Sequence, residues 1–120
     1  MLRYPKTNAM LDEANRNTAI DNVIYDTVQK ARQLPGPHGF DNYYQPASLY
    51  FDGSAFTYTG EPGDEGFQQW LEDHKIKTFA TTNTSRDLLV PPKDWQEIAE
   101  YLAEGINEKR FIGRVYTIKQ

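Results

Sequence analysis

The chain contains no cysteine, and only two of its 120 residues are histidine. The absence of cysteine excludes a disulfide framework, a cysteine-ligated zinc site and a cysteine nucleophile. The two histidines, His38 and His74, lack the spacing of a metal-binding motif such as His-Glu-x-x-His. The glycines follow neither of the common phosphate-binding patterns. The sequence therefore predicts no metal site and no cofactor.

Long hydrophobic segments are missing as well. No apolar run exceeds three residues, as in Leu88-Leu89-Val90, whereas a membrane-spanning helix needs about 20. The first residues of the chain are not followed by the apolar stretch of a secretory signal. We therefore expect a cytoplasmic protein that has no membrane partner.

The net charge is −4, and the acidic residues are unevenly distributed along the chain. Residues 61–100 contain nine acidic and four basic side chains. Such a surface repels nucleic acid, whose binding requires a basic excess, and it attracts a basic protein. The simpler interpretation is an acidic face that is merely solvated. The charge distribution thus disfavours nucleic acid as a partner and favours another protein.

Hydrophobic periodicity predicts a single α+β domain over residues 1–120, with residues 1–17 loosely attached. The first helical region covers residues 9–34, and its apolar stripe contains Ile20, Ile24, Thr27, Val28, Ala31 and Leu34. One straight helix of this length would measure about 39 Å, whereas a globule of this size is about 35 Å across. We therefore expect a kink near Asn15–Asn17. The alternative is a straight helix whose overhang docks on a second subunit and forms a homo-oligomer.

The predicted element order is α-β-β-α-β-α-β, with a mostly antiparallel four-stranded sheet and the helices packed on one face. Asp52-Gly53 between two alternating segments predicts a central type I′ hairpin over residues 47–59. Next come a helix capped by Asp64 and a strand over residues 76–81. A last helix is predicted to start at Pro91-Pro92, and its buried stripe contains Trp95, Ile98, Ala99, Leu102 and Ile106. A basic edge strand at Phe111–Ile118 closes the domain.

No catalytic motif is present, so the first functional hypothesis is a non-catalytic protein-binding module of the adaptor or inhibitor type. Residues 35–46 are predicted to form a loop because proline and glycine are frequent there. A solvated loop rarely carries several aromatic side chains. These rings either cover an open side of the core, which is the simpler interpretation, or form a contact loop for a partner. The predicted partner contacts are Phe40, Tyr43, Tyr44 and Tyr50.

The second hypothesis is a binding protein for a nucleotide or another small anion. The segment 81–87 is predicted to be a loop rich in hydroxyl and amide side chains, and it contains an arginine suited to phosphate or carboxylate. An ordinary polar connection, with Arg86 paired to an acidic residue, is the alternative. The predicted ligand-binding residues are Thr82, Asn83, Thr84, Ser85 and Arg86.

The third hypothesis is a small hydrolase-like enzyme that uses His38 and Asp41. A carboxylate three residues away can orient a histidine base. However, no serine lies in a nucleophile-elbow motif. This hypothesis therefore ranks below the other two.

Overall fold

Two helices enclose a five-stranded mixed sheet in the structure, a computed structural model that describes residues 8–41, 55–84, 89–104 and 110–119 and, for residues 8–17 and 104, the backbone alone. The sheet order is β2-β1-β3-β5-β4, in which β1 runs parallel to β2 and β3, and β5 runs antiparallel to β3 and β4. The elements are α1 (Asn8–Arg32), β1 (His38–Asp41), β2 (Phe56–Tyr58), α2 (Phe67–Asp73), β3 (Thr78–Thr84), β4 (Trp95–Glu104) and β5 (Arg110–Ile118).

The prediction of an α+β domain is confirmed, but the details of the sheet are not. The order of the described elements is α-β-β-α-β-β-β, and the sheet has five strands and mixed direction instead of four mostly antiparallel ones. The helices also lie on opposite faces of the sheet. One core layer joins Val23, Ile24 and Val28 of α1 to Ala80 and Val115. The second layer joins α2 to the other face, which we call the α2 side, and contains Tyr58, Phe67, Leu71, Ile76 and Phe79.

Helix α1 is a single uninterrupted helix of 25 residues, about 38 Å long. No break therefore interrupts the helix at Asn15–Asn17, and a bend of its axis there stays a prediction. The predicted stripe is confirmed, because Ile24, Thr27, Val28 and Ala31 are all buried against the sheet. Docking of the N-terminal part of this helix on a second subunit stays a prediction.

The prediction of a last helix after Pro91-Pro92 is wrong, because this segment forms β4. Strand β4 pairs antiparallel with β5, and a β-bulge interrupts the register between Glu97 and Ala99. Before the bulge, Trp95 packs on the α2 side, whereas Ala99 and Tyr101 after it pack on the α1 side. The extra residue shifts the two-residue alternation by one position. The resulting spacing of apolar residues imitates the three-and-four spacing of a helix.

The prediction of a loop over residues 35–46 is wrong for its centre, since His38–Asp41 forms β1. This strand lies between β2 and β3, and Gly39, Phe40 and Asp41 are buried. The predicted hairpin at Asp52-Gly53 lies outside the described residues. Of that segment, the structure describes β2, which pairs with β1 in parallel.

The closing strand β5 is confirmed, but it is not an edge strand. It lies between β3 and β4 and pairs antiparallel with both strands. Helix α1 approaches this strand closely at Gly113. A Cβ atom built there would overlap the Thr27 hydroxyl and lie 3.0 Å from a Val23 methyl carbon. Glycine is required here by the space between helix and sheet.

We expect Gly113→Ala to destabilise the protein by about 1–3 kcal/mol, because the added methyl group overpacks the contact between α1 and β5. Urea unfolding measures the change. Gly66→Ala is the matched control, since its added Cβ would meet the Tyr58 hydroxyl at an ordinary 3.5 Å. In a Thr27→Ala background the cost of Gly113→Ala should fall. An unchanged midpoint for Gly113→Ala would contradict this account.

Candidate binding surface on the α2 side of the sheet

A continuous aromatic layer holds α2 against the sheet. Phe67 of α2 contacts Tyr58 of β2 with ring centroids 5.0 Å apart and Phe79 of β3 at 5.2 Å. Trp95 of β4 extends the layer, 5.7 Å from Phe79 and 5.5 Å from Tyr116 of β5. These rings join the strands β2, β3, β5 and β4 to one short helix. The layer fixes the position of everything that α2 presents to solvent.

The segment 61–73, which contains α2, carries only negative formal charge, and the exposed Lys75 follows the end of the helix. Five acidic side chains between residues 61 and 73 are exposed, and the sequence of this segment contains no basic residue. On α2 itself, Gln68 Nε2 donates to Glu72 at 3.3 Å and Gln69 Nε2 donates to Asp73 at 2.7 Å. These bonds restrict the two carboxylates to the outer face of the helix. We call this set the acidic surface: Glu61, Asp64, Glu65, Glu72 and Asp73.

The outer face of α1 differs in its charge balance. Between residues 18 and 32 it carries Asp21 and Asp26 against Lys30 and Arg32. The two acidic residues are exposed, as is Arg32, while Lys30 is half-buried. The excess of negative charge is therefore a property of the α2 side and is not spread evenly over the described surface.

The segment that leads into α2 is tied to the sheet by Tyr58. Its hydroxyl donates a short hydrogen bond to Asp64 Oδ1. This bond, together with burial and the negative charge of Asp64, raises the pKa of Tyr58 to about 12. The predicted side-chain cap of α2 by Asp64 is not formed, because the N-cap residue is Gly66. Asp64 instead anchors the acidic segment before the helix.

A row of polar side chains crosses four strands beyond the aromatic layer. Asp41 of β1 accepts a hydrogen bond from Thr81 Oγ1 of β3 at 2.5 Å, and Thr81 pairs with Arg114 of β5. Arg114 pairs in turn with Glu100 of β4, and its Nε lies 2.8 Å from a Glu100 carboxylate oxygen and 3.2 Å from one of Glu97. Adjacent strands are about 4.8 Å apart, so the row spans about 14 Å.

The Tyr116 hydroxyl lies at the border between the aromatic layer and this polar row. Tyr116 is only 2% exposed, and its hydroxyl makes no hydrogen bond of standard geometry among the described residues, although the Arg114 side chain lies close enough to interact with it. Burial raises the pKa of Tyr116, and the carboxylates of Glu97 and Glu100 raise it further, while Arg114 opposes them. The phenol therefore remains protonated near neutral pH and has a hydrogen to donate.

The polar row favours a neutral or cationic group over an anion. It contains three carboxylates, those of Asp41, Glu97 and Glu100, against the single guanidinium of Arg114. An added phosphate or carboxylate would meet a net negative site. A separate shallow cavity of about 290 Å³ lies near the start of β3 and the end of β5. It is lined by Pro35, Lys77, Thr117 and Ile118, and Lys77 is the charged residue among them.

The predicted partner contacts are only partly described by the structure. Phe40 is 3% exposed and packs in the core beneath α1, which is the alternative considered for the aromatic residues of this segment. A buried ring offers no side-chain surface to a partner. Tyr43, Tyr44 and Tyr50 lie outside the described residues.

The predicted ligand-binding loop begins as a strand. Thr82, Asn83 and Thr84 belong to β3 and pair with Gly113, Ile112 and Phe111 of β5. Thr82 is buried, and its amide donates to Asp41 Oδ1 at 3.4 Å. Ser85 and Arg86 lie outside the described residues. For residues 81–84 the expectation of an open polar loop is therefore wrong.

The pairing of His38 with Asp41 is also wrong. Both residues belong to β1, where side chains alternate between the faces of the sheet, so residues three apart lie on opposite faces. His38 Nε2 lies 2.7 Å from the carbonyl oxygen of Leu34, two residues after the end of α1. Asp41 hydrogen-bonds to Thr81 on the α2 side. The histidine cannot receive orientation from that carboxylate.

Sequence reasoning missed the role of Arg114. It assigned the basic residues of β5 to an exposed edge, whereas Arg114 lies on an interior strand between Thr81 and Glu100. The available signal was the pair Glu97 and Glu100 followed by a basic residue in the next strand, once β4 is recognised as a strand. Recognition of β4 was prevented by its bulge.

Comparisons with known proteins add no assignment. No protein-family model matches the chain, and no curated protein matches it. Within the described ranges, no group of three or more histidine, aspartate or glutamate side chains is arranged to hold a metal ion. No helix in the described part of the chain is long and apolar enough to cross a membrane.

We expect the Tyr58–Asp64 hydrogen bond to make stability depend on alkaline pH. Because folding raises the pKa of Tyr58 from 10.0 to about 12, the native state holds this proton more tightly than the unfolded state. The contribution is complete below pH 10 and is lost as pH rises through 12. The free energy of unfolding, measured with urea at several pH values in this window, should fall more steeply with pH for the wild type than for Tyr58→Phe. Parallel curves for the two proteins would contradict the assignment.

Proposed function

We propose that the protein is a cytoplasmic, non-catalytic protein-binding module of the adaptor or inhibitor type, whose partner presents a basic surface to the acidic surface around α2. The observation that carries this proposal is the run of exposed acidic residues from Glu61 to Asp73 without an intervening basic residue. A field of one sign accelerates association with a partner of the opposite sign.

The placement of the charges on α2 supports a role in binding. Glu72 and Asp73 are the last two residues of α2. Negative charge is unfavourable at the C-terminal end of a helix, where the carbonyl groups already carry partial negative charge. These two residues therefore lower the stability of the helix that presents them. Residues that break a local rule of stability are expected at functional positions.

The shape of the surface favours a macromolecular partner over a small one. The acidic side chains lie on the outer face of a helix and the segment before it, and their exposure distributes the charge over a convex area. A small ligand is normally bound in a concave site that buries most of its surface. A protein can instead contact several of these carboxylates at once.

A small neutral or cationic ligand at the polar row is the second candidate. The observation that favours it is the buried Tyr116 hydroxyl, which lies near Arg114 but makes no hydrogen bond of standard geometry among the described residues. Buried polar groups are normally satisfied by protein, water or ligand. The polar row also adjoins the carboxyl ends of the parallel strands β1 and β3. The chain adds β2 on one side of β1 and β3 on the other, and ligands commonly bind at such a switch point.

Charge reversal tests the main proposal. We expect Glu72→Lys/Asp73→Lys to weaken partner binding by roughly tenfold or more and to reduce its salt dependence. The matched control is Asp21→Lys/Asp26→Lys on α1, which makes the same change in net charge and should retain binding. The partner is defined as a protein from the source cells that the wild type and the control capture and the α2 variant does not. Its affinity is then measured with purified components at two salt concentrations.

Stability separates this effect from unfolding. Lysine at the end of α2 complements the helix dipole, so the α2 variant should be more stable than the wild type by about 0.3–1 kcal/mol per residue. Lost binding in a stabilised variant cannot come from loss of fold. Equal capture by the two variants would overturn the assignment of the acidic surface.

The second candidate is tested with Tyr116→Phe. If the hydroxyl stays unpartnered, its removal should leave stability unchanged or increase it by about 1 kcal/mol. If a bound molecule or water accepts its hydrogen, the same substitution should destabilise the protein by about 1–3 kcal/mol. Thermal unfolding of protein purified without denaturant distinguishes the two, and a neutral result argues against a ligand at the polar row.

A further inference from the structure

Strand β4 presents the longest edge of the described sheet. Among the described strands it pairs only with β5, and it has ten residues, whereas β2 at the other edge has three. Edge strands offer unpaired backbone groups to an added strand. The β-bulge between Glu97 and Ala99 divides this edge and leaves residues 99–104 as one regular segment.

Two backbone hydrogen bonds, made by Ile118 and Lys119, show which residues of β4 point their N–H and C=O groups away from β5. Ile118 N donates to Lys77 O on the β3 side, and Lys119 N donates to Asp94 O on the β4 side. Backbone groups alternate between the two sides of a strand, so the odd-numbered residues of β5 face β4. Their partners after the bulge are Ala99, Tyr101 and Ala103. The amide and carbonyl groups of Glu100 and Leu102 therefore point away from β5, toward the open edge.

The side chains of those two residues lie on the α2 side and are exposed. Leu102 is 47% exposed, which is unusual for a leucine, and the Glu100 side chain is 42% exposed. Glu97, on the other side of the bulge, is exposed to a similar degree. A strand added at this edge would thus meet one carboxylate and one apolar side chain two positions apart.

Charge selects the occupant of this edge. The guanidinium of Arg114 is shared by the carboxylates of Glu97 and Glu100, so one positive charge stands against two negative ones. A second copy of this chain paired edge to edge would add two further carboxylates to the same edge, and registers that place Glu100 beside its own equivalent are destabilised by like charge. A basic strand would instead supply the missing positive charge.

We propose that an extended, basic segment of a protein partner binds by adding a strand to β4 along residues 99–104. Backbone hydrogen bonds to Glu100 and Leu102 give the affinity. Specificity comes from a lysine or arginine beside Glu100 and an apolar residue two positions away beside Leu102. This inference rests on the proposed function, because it names the mode by which that protein partner is held.

The first experiment uses the unmodified protein and a fluorescent peptide of about eight residues, a typical strand length. Lysine and valine alternate on one face of the peptide, and threonine occupies the other face. We expect saturable binding in fluorescence anisotropy and roughly tenfold weaker binding when glutamate replaces lysine. Absence of saturable binding overturns the proposal.

Backbone methylation distinguishes strand addition from simple charge attraction. N-methyl groups on alternate residues remove the peptide donors that face β4 while leaving every side chain unchanged. Methylation in one alternating register should abolish binding, and methylation in the other register should preserve it, because only one set of amides faces the protein. Equal binding of the two peptides would show that charge alone holds the peptide and would overturn the proposal.

A proline at the edge gives the corresponding change in the protein. Leu102→Pro removes an amide that does not serve the β5 ladder, and proline is tolerated at edge positions of this kind. Peptide binding should be lost, whereas Leu102→Ala, which keeps the amide, should weaken it by a smaller factor. If Leu102→Pro does not fold, the methylated peptides decide the question alone. Concentration-dependent dimerisation abolished by Leu102→Pro would assign the edge to a second copy and overturn the proposal.

The outcomes for the two proposals are distinguishable. If the basic peptide does not bind but a cellular partner is still lost with the Glu72→Lys/Asp73→Lys variant, the acidic surface is a binding surface and strand addition is wrong. If the peptide binds in one methylation register but the α2 variant captures the same proteins as the wild type, strand addition stands and the acidic surface around α2 is not the contact.

Discussion

Helix α2 depends on aromatic packing, because seven residues are too few to form a stable helix in water. Phe67 supplies the contact: its ring lies against Tyr58, Phe79 and Trp95, which come from three different strands. Phe79 at the centre of this layer is fully buried. The position of the acidic surface, and the anchoring of its first half by Tyr58, follow from this one layer. The formation and position of α2 therefore depend on the packing of aromatic rings and not on helix propensity.

Negative charge exceeds positive charge at two places in the molecule. Glu72 and Asp73 lie at the unfavourable end of α2, and Glu97 and Glu100 share one guanidinium. Both places lie on the α2 side, whereas the charges on residues 18–32 of α1 are balanced. Surface charges near each other repel and contribute little to folding. Their segregation to one side therefore points to a partner of opposite charge.

The sequence predicts α1, α2, β3 and β5, because each has a regular period or a clear boundary. It fails for β4 because one inserted residue at the bulge converts a two-residue alternation into a helix-like spacing. It fails for β1 because a buried parallel strand of four residues has no alternation to detect, and the surrounding prolines and glycines resemble a loop. Local patterns do not report parallel pairing between distant segments.

The same limit applies to the candidate surfaces. The acidic excess of residues 61–100 is visible in the sequence because charge is a property of composition. The row from Asp41 to Glu100 is not visible, since its members are brought together by the register of four strands. His38 and Asp41 show the opposite error: they are close in sequence, but strand alternation separates them. Proximity along the chain is informative only when the element type is known.

The acidic surface and the β4 edge are suited to different steps of one association. Trp95 begins β4 and contacts Phe67 of α2 with ring centroids 6.0 Å apart, so the start of β4 adjoins α2 and residues 99–104 lie further along the same strand. Exposed carboxylates act over about 8 Å at physiological salt, which influences the rate of encounter. Backbone hydrogen bonds act only at contact and are little affected by salt, so they influence the rate of dissociation. A partner held at both surfaces should therefore associate at a salt-dependent rate and dissociate at a rate that is nearly independent of salt.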